Sequence, residues 1–465
     1  MPDGKGEGGM IIRTLALFDR FRCAGSACRD TCCVRDKLVL DNKTYFEYQR
    51  VIAKGDAFGR RMVASISERN GVASFRMRDN GECPFLMRNG LCELYVRLGP
   101  ERICETCRKF PTFSKEYGNY REIGCSFSCP EVLRLVLTHP EPFTVRVREN
   151  DTEPVSFLNL NAELLPLIYP VRDRFLEIAQ DKRNTLRKTA TVLLKLAESV
   201  QDVIDRGAYG ELAALIAPFE AGDPMGGIRG EEPDAELRKE VLTKLLKLHI
   251  KLEHKKPDRA GRLALACKTI QNETAEERLD RELGFAWYMN HRVYEYRKWL
   301  FYLLHRDLLD VVFDGEFYSR VRFAVLTTLL LFEIGSLEWK AKNKQFPPQG
   351  QEELFRNYSR EVDDNPHNVA KLYKKLKGSA FAQQKLLRAL ANPLPKSAND
   401  VPEEPMDESP EGPIDVTAKK LDAAPTESAP VDTAPAENTP AETTENAPTE
   451  TAEPTPEEPT APAAE

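Results

Sequence analysis

The spacing of apolar residues changes along the chain and divides it into three stretches. Up to about residue 145 they come in short runs broken by glycine, proline and cysteine. From about residue 155 they recur every three to four positions, and beyond Ala391 they thin out into proline, alanine, threonine and glutamate. The first stretch predicts small pieces joined by loops. Leu38-Val39-Leu40-Asp41 reads as a short strand, followed by a helix through Tyr45, Tyr48 and Val51. Phe75 to Asn80 and Pro84 to Leu86 read as extended pieces around an Asn80-Gly81 turn. Cys92 to Leu98 reads as one or two helical turns leading into Gly99-Pro100, and Pro130-Glu131 opens a helix with Val132, Leu133, Leu135 and Val136 on its apolar face.

The second stretch predicts helices. Leu186, Leu193, Leu194, Ala197, Val200 and Ile204 share one face and end at Gly207, a C-cap residue. Asp234 is an N-cap for a helix carrying Leu237, Val241, Leu245 and Leu248. Thr274-Ala-Glu-Glu277 is a capping box opening a long helix expected to run past Phe313 with a break. Another is expected from Arg320 to about Trp339, with shorter ones between Glu352 and Leu390. The long helix carries Trp287, His291, Tyr294, Tyr296, Trp299 and Tyr302. Core packing is the simpler account of such density, and a ring-lined pocket for a sulfonium or ammonium group is the alternative. Cys267 reads as a small buried hydrophobe.

The fold class that follows is mainly α: a small cysteine-rich region with short strands, then an α-helical domain, then a disordered tail. The expected divisions are a disordered start over 1–12, a cysteine-rich metal-binding domain over 13–145, a helical domain over 146–395 and a disordered acidic tail over 396–465. The tail carries eighteen Asp/Glu and three Lys, and thirteen prolines follow residue 400. Such a segment buries too little apolar area to offset its ordering entropy. Since the whole chain has a net charge of −7, residues 1–395 carry +8. That mild positive charge, with no recognisable module, predicts no nucleic-acid partner. The longest apolar run, Phe323 to Phe332, is too short to span a bilayer, so no membrane partner is expected and a cytoplasmic location is.

Chemistry concentrates in the cysteines. Ten of the eleven lie between Cys23 and Cys129, as Cys23-x4-Cys28-x3-Cys32-Cys33, Cys83-x8-Cys92-x11-Cys104-x2-Cys107 and Cys125-x3-Cys129. No histidine precedes His139, so a metal held here is held mostly by thiolates, which suit zinc or iron–sulfur clusters. A disulfide framework fits a long chain poorly, and residues 1–20 show no basic-then-apolar export segment. Spacing does not separate zinc from iron–sulfur. Ten thiols exceed the four that one cluster needs, so there are two sites or some cysteines are structural. Neighbouring side chains tend to point apart, which assigns Cys32 and Cys33 to different roles.

These residues resemble the flagellin lysine-N-methylase family. The likeness rests on Cys23-Ala-Gly-Ser-Ala-Cys28-Arg-Asp-Thr-Cys32-Cys33, Cys83-Pro-Phe-Leu, Gly90-Leu-Cys92-Glu-Leu-Tyr, Leu98-Gly-Pro-Glu, Cys104-Glu-Thr-Cys107-Arg-Lys-Phe-Pro111 and Arg121-Glu-Ile-Gly-Cys125-Ser-Phe-Ser-Cys129-Pro-Glu. Tyr358-Ser-Arg360 with His367-Asn368 is similar to the family's carboxy-terminal segment. There are departures: Val34-Arg35-Asp36 follows the paired cysteines where the family has Gly-Trp, and Thr112 follows Pro111 where it has Arg. The resemblance implies a protein-lysine N-methyltransferase with S-adenosylmethionine as donor, flagellin as substrate, and a 4Fe-4S cluster on the amino-terminal cysteines. The other reading, from the residues alone, is a non-enzymatic zinc- or iron–sulfur-binding interaction or redox-sensing protein. No Rossmann glycine fingerprint places a methyl donor, and no residue is singled out as catalytic base. Arg360 and His367 are expected to hold helix ends, with contact to substrate or methyl donor as the alternative.

Overall fold

The structure is a computed structural model, and it describes residues 9–33, 38–254 and 258–391. Its architecture is mainly α, as expected. The expected acidic tail, the departure at Val34-Arg35-Asp36 and the first eight residues lie outside the described residues.

Two β-sheets frame the amino-terminal part. In the first, β1 (Met10–Leu15) sits between β6 (Tyr120–Cys125), to which it runs parallel, and β7 (Val145–Asn150), to which it runs antiparallel. β5 (Thr112–Tyr117) completes the order β5-β6-β1-β7. In the second, β2 (Leu38–Val39), β3 (Ile66–Arg69) and β4 (Val72–Phe75) follow the order β2-β4-β3. Two expectations are corrected here. The start over 1–12 is not all disordered, because residues 10–12 belong to β1, paired on both sides, with Met10 fully buried. The expected turn at Asn80-Gly81 is present, closed by Gly81 N–H to the Arg78 carbonyl and Arg78 N–H to the Glu82 carbonyl, both at 2.8 Å. A two-residue hairpin turn that was not expected joins β3 to β4 at Asn70-Gly71: both residues have positive φ (52° and 73°) and Arg69 pairs with Val72, the geometry that Asn-Gly favours. The division expected after residue 145 falls at the first residue of β7, whose partner is β1.

Two apolar cores result. The small one gathers Leu38, Leu40, Tyr48, Phe58, Met62, Phe75, Phe85 and Leu94 around buried Cys83 and Cys104. Its helices are Asn42–Ile52, capped by Asp41, and Ala57–Ser65, capped by Asp56. The large core runs through the helical part, takes in one face of the first sheet, and includes Cys125, Cys129 and Cys267.

The helical expectations hold with shifted ends. Leu186–Asp205 starts on a Thr185 cap and stops at Gly207, whose φ is 66°. Ala275–Tyr288 begins on the expected Thr274–Glu277 capping box. The expected long helix is interrupted at Asn290–Arg292, resumes as Val293–Asp307, and ends at Gly315 in the left-handed region. The central helix is Phe317–Ala341, longer at both ends than its apolar run suggested. Among the described residues, no helix is long and apolar enough to cross a membrane.

The helical core also buries charge. Arg281 pairs with Glu273 at 2.9 Å and with Glu333 at 2.5 Å, and Arg238 pairs with Glu282 at 2.7 Å. Removing one partner of such a pair strands the other in a low dielectric.

Candidate metal centre and its clamp

The loops that carry the cysteines are held by main-chain bonds. Cys83 N–H donates to the Cys33 carbonyl at 2.7 Å, Cys107 N–H to the Cys104 carbonyl at 3.0 Å, and Leu86 forms a bridge with Cys92. These bonds draw Cys33, Cys83, Cys92, Cys104 and Cys107 to the small core. Burial, with the neighbouring Cys92 and Cys104 thiols adding to it, pushes the Cys83 thiol up to about 11. The Cys33 thiol is raised further, first by its hydrogen bond with Cys32, then by burial and by Cys83 and Cys92. Cys32 and Cys33 therefore touch each other instead of pointing apart, because the loop turns within the pair.

A second group gathers at the large core. Burial pushes Cys129 up to about 11, with Cys28 and Cys32 adding to it, and pushes Cys125 up to about 12. Cys28 is raised by burial and feels Cys23 and Cys32. Cys32 lies within electrostatic reach of both groups. All ten expected ligands, Cys23, Cys28, Cys32, Cys33, Cys83, Cys92, Cys104, Cys107, Cys125 and Cys129, thus fall into two neighbouring sets joined at Cys32-Cys33, and all are free thiols.

This donor set fits a soft metal or an iron–sulfur cluster. Buried thiols that repel one another's anionic forms are relieved by a cation, which displaces their protons. Among the described residues, no three Cys, His, Asp or Glu side chains yet converge closely enough to hold one ion.

What fastens these loops to the helical part is one clamp. Arg360 Nη1 donates to Asp30 Oδ2 at 2.7 Å, Nη2 to the Thr31 carbonyl at 2.9 Å, and Nε to the Ser128 carbonyl at 3.3 Å. One guanidinium therefore spans the Cys28–Cys32 loop and the Cys125–Cys129 loop. Arg356 reaches the same Asp30 oxygen at 3.2 Å. Between Cys125 and Cys129, Phe127 stacks on Tyr302 with ring centroids 3.8 Å apart and planes 9° apart. Beside it, Ser126 Oγ donates to Asp364 at 2.9 Å.

Arg360 stands in a π-helical turn, Ser359–Asp363, a distortion common at functional sites. The turn buries Asp363, which accepts from Tyr302 at 2.8 Å and Ser359 at 3.0 Å and pairs with Arg306. Burial pushes Asp363 up to about 7 even though Arg306 opposes the shift. Next to it, Asp364 is one-third exposed, so solvent reaches this carboxylate beside the cysteine loop. Lys115 bridges Asp307 at 3.0 Å and Asp310 at 2.7 Å on the same side.

Other expected residues are placed plainly. Arg360 ties two loops together, more than the helix end expected of it. His367 is exposed on the first turn of helix Pro366–Leu376, where its N–H is capped by Asn365. Asn368 is the buried member of that pair, donating to the carbonyls of Glu253 and Glu361. Among the long helix's aromatics, Tyr296, Trp299 and Tyr302 are core, Tyr294 bonds the Leu137 carbonyl, and Trp287 is exposed. Asp30, Ser126, Phe127 and Asp363 were given no role of their own by the sequence, since only their neighbours in space give them one.

A family model for the FliB lysine N-methylase C-terminal domain matches residues 172–387. The chain is similar to a lysine-N-methylase of Salmonella typhimurium, 26% identical over 247 residues, and to one of Salmonella choleraesuis, 25% identical over 247 residues. Each match covers 50% of this chain and 59% of the relative, so the chain spans under two thirds of these relatives' length. It is also 30% identical over 136 residues to a flagellar biosynthetic protein FliU of Salmonella muenchen, covering 27% of this chain and 76% of that protein. No solved structure matches. The clamp residues Tyr302, Arg360 and Asp363 all lie within the span of the family model, and the chain belongs to the FliB lysine N-methylase family.

Proposed function

We propose that this protein transfers methyl groups to lysine side chains of flagellin, with S-adenosylmethionine as donor and an iron–sulfur cluster on its amino-terminal thiols. The observation that carries the reading is the clamp: the family-matched helical part grips the two cysteine loops through Arg360, Phe127 and Ser126. A helical part unconnected to the thiols would have no reason to place a π turn, a buried carboxylate and a stacked tyrosine against them.

Cys33, Cys83, Cys92, Cys104 and Cys107, or Cys23, Cys28, Cys125 and Cys129 with Cys32, would hold the cluster. When bound, an iron–sulfur cluster supplies a redox-active, Lewis-acidic centre. The chain's own residues do the rest. A lysine amine, ordinarily protonated with a pKa near 10.4, must lose its proton before it attacks a methyl group. Asp364 is a carboxylate at this junction open to solvent, positioned to receive an ammonium group. Arg360 and the Phe127–Tyr302 stack hold the loops, so that a lysine at Asp364 meets a fixed thiol site.

The test starts with anaerobic purification, followed by iron, sulfide and zinc measured per chain. Transfer of labelled methyl groups from S-adenosylmethionine to flagellin lysines is then assayed. Iron with matching sulfide and labelled lysines are expected. Stoichiometric zinc with no iron and no transfer would replace this reading with a structural or interaction role. Asp364→Asn is expected to cut transfer about a hundredfold or more, the range for losing one positioned proton-handling group.

A further inference from the structure

The first sheet ends on a strand whose outer edge is open. β7 is terminal in the order β5-β6-β1-β7, and from Arg146 to Asn150 every residue is exposed. The direction of its main-chain groups follows from its neighbours. Ile11 N–H donates to the Asn119 carbonyl at 2.8 Å, so Ile11 and Arg13 turn their amides towards β6. Met10, Ile12 and Thr14 then turn theirs towards β7, opposite Asn150, Arg148 and Arg146. The Ala16 N–H to Thr144 carbonyl bond at 2.9 Å keeps the same alternation. Val145, Val147 and Glu149 therefore aim N–H and C=O away from the sheet. No hydrogen bond found among the described residues reaches those groups.

An exposed edge of this kind is a template for another strand. Side chains say what sort. Val147, 55% exposed, offers an apolar contact on the face it shares with Arg13. Arg146 and Arg148 stand on the other face and, among the described residues, both pair with the one carboxylate of Asp19, two positive charges to one negative. The position of the edge also matters. Val145 pairs with Leu15, and directly after Leu15 the chain makes the short turn Ala16–Arg20 and reaches Cys23. One end of the open edge thus points to the thiol sets.

The geometry points to β7 as the docking edge for an extended segment of the protein substrate, which adds a strand opposite Val145, Val147 and Glu149. The segment places an apolar side chain beside Val147 and an acidic one beside Arg146 or Arg148. Main-chain pairing tolerates varied sequence, which suits an enzyme presenting lysines in different contexts to one site. This inference rests on the methyltransferase reading for its partner, and its test separates the two.

Val147→Pro removes an outward N–H while leaving the bonds to β1, since proline is tolerated where an edge N–H faces solvent. Val147→Ala keeps the amide and trims only the side chain. With purified flagellin as probe, binding and methyl transfer are measured for the full chain and both variants, with amide exchange followed over β7. Val147→Pro is expected to raise Kd and KM up to about tenfold with thermal stability retained, consistent with loss of one main-chain bond, and Val147→Ala about twofold or less. Protection of Val145, Val147 and Glu149 amides on flagellin binding is also expected. A folded Val147→Pro variant that binds and methylates flagellin normally, with no protection at β7, overturns the docking edge and leaves the methyltransferase reading standing. If the wild-type chain binds flagellin with β7 protected yet transfers no methyl group, the docking edge stands and the methyltransferase reading falls.

Discussion

At the scale of residues, Arg360 shows how one side chain joins parts that sequence leaves unconnected. Its partner Asp30 lies 330 positions away, and both are mostly shielded from solvent. Replacing Arg360 with Ala strands Asp30 and is expected to cost about 1–3 kcal/mol, the range for hydrogen bonds to charged groups. Arg360→Lys is expected to recover little, because an ammonium cannot reach three acceptors in the fork geometry. Chemical denaturation with metal analysis of both variants checks this, and a wild-type metal content in Arg360→Ala would separate the clamp from metal retention. Arg360 stood out in the sequence through the family's carboxy-terminal segment, but its pairing with Asp30 did not: an aspartate among 73 acidic residues carries no mark until the fold brings the two together. The cysteines did carry one, because short thiol spacing is rare outside metal and redox chemistry.

His249 makes a sharper test at the same scale. Its Nδ1 lies 2.8 Å from the Leu245 carbonyl, which only accepts, so Nδ1 carries the proton and Nε2 accepts from Tyr358 at 2.9 Å. Burial pushes this imidazole down to about 4, against about 6.5 for an unfolded histidine. Below 6.5 the unfolded chain binds a proton that the folded chain refuses, so stability falls as pH drops from 6.5 to 4. Glu122 acts at lower pH. Burial alone would raise it, but Arg172, His305 and Arg13 outweigh that and hold it at about 2. Its contribution is full above about 4.5 and is lost as pH falls towards 2. Unfolding free energies measured from pH 8 to 3 are therefore expected to carry two losses, an upper stage between 6.5 and 4 and a lower one below about 4.5, set against the gain from Asp363, whose raised carboxyl takes up its proton from about pH 7 downwards. His249→Gln should remove the upper stage, and a variant that keeps it would show that another group titrates there.

At the scale of elements, the Cys125–Cys129 loop is fixed by a ring. Phe127→Ala is expected to destabilise the chain by about 3–5 kcal/mol, the usual cost of emptying a buried aromatic site. Tyr302→Phe keeps the stack and loses the hydroxyl's bonds, the one it donates to Asp363 and the one it accepts from Arg306 at 3.3 Å, for about 1–2 kcal/mol. Thermal unfolding of both separates stacking from hydrogen bonding, and equal losses would contradict the assignment. Helices were readable in sequence because their apolar faces repeat locally and their caps at Thr185, Asp234 and Thr274 are local too. The first sheet was not. Its central strand, Met10–Leu15, finds one partner at 120–123 and another at 145–150, and residues such as Arg13 and Glu122 that read as surface are buried as a pair at 3.2 Å. The small hairpin was readable in principle from Asn70-Gly71, but its strands are only four residues each and Ser67 and Ser74 interrupt their apolar pattern.

At the scale of the whole molecule, the two apolar cores predict unequal dependence on metal. The small core has few large side chains and five thiols, so metal is expected to contribute much of its stability, as in other small metal-dependent units. Treating the metal-loaded protein with a strong chelator is expected to speed amide exchange around Tyr48, Phe75 and Phe85 while sparing the helices at Trp299 and Phe323. Uniform acceleration across both cores would mean that they melt as one unit.

The position of the small core within the chain has one more consequence. It is enclosed between β1 and the strands that complete the first sheet, so β1 emerges from the ribosome and waits while residues 38–109 are still being made. The cysteine-bearing loops from Cys23 to Cys107 are synthesised in full before β6 exists to seat β1, and Arg360 emerges much later. Any metal that the thiols take up would therefore have its own window during synthesis, before the clamp closes over the loops.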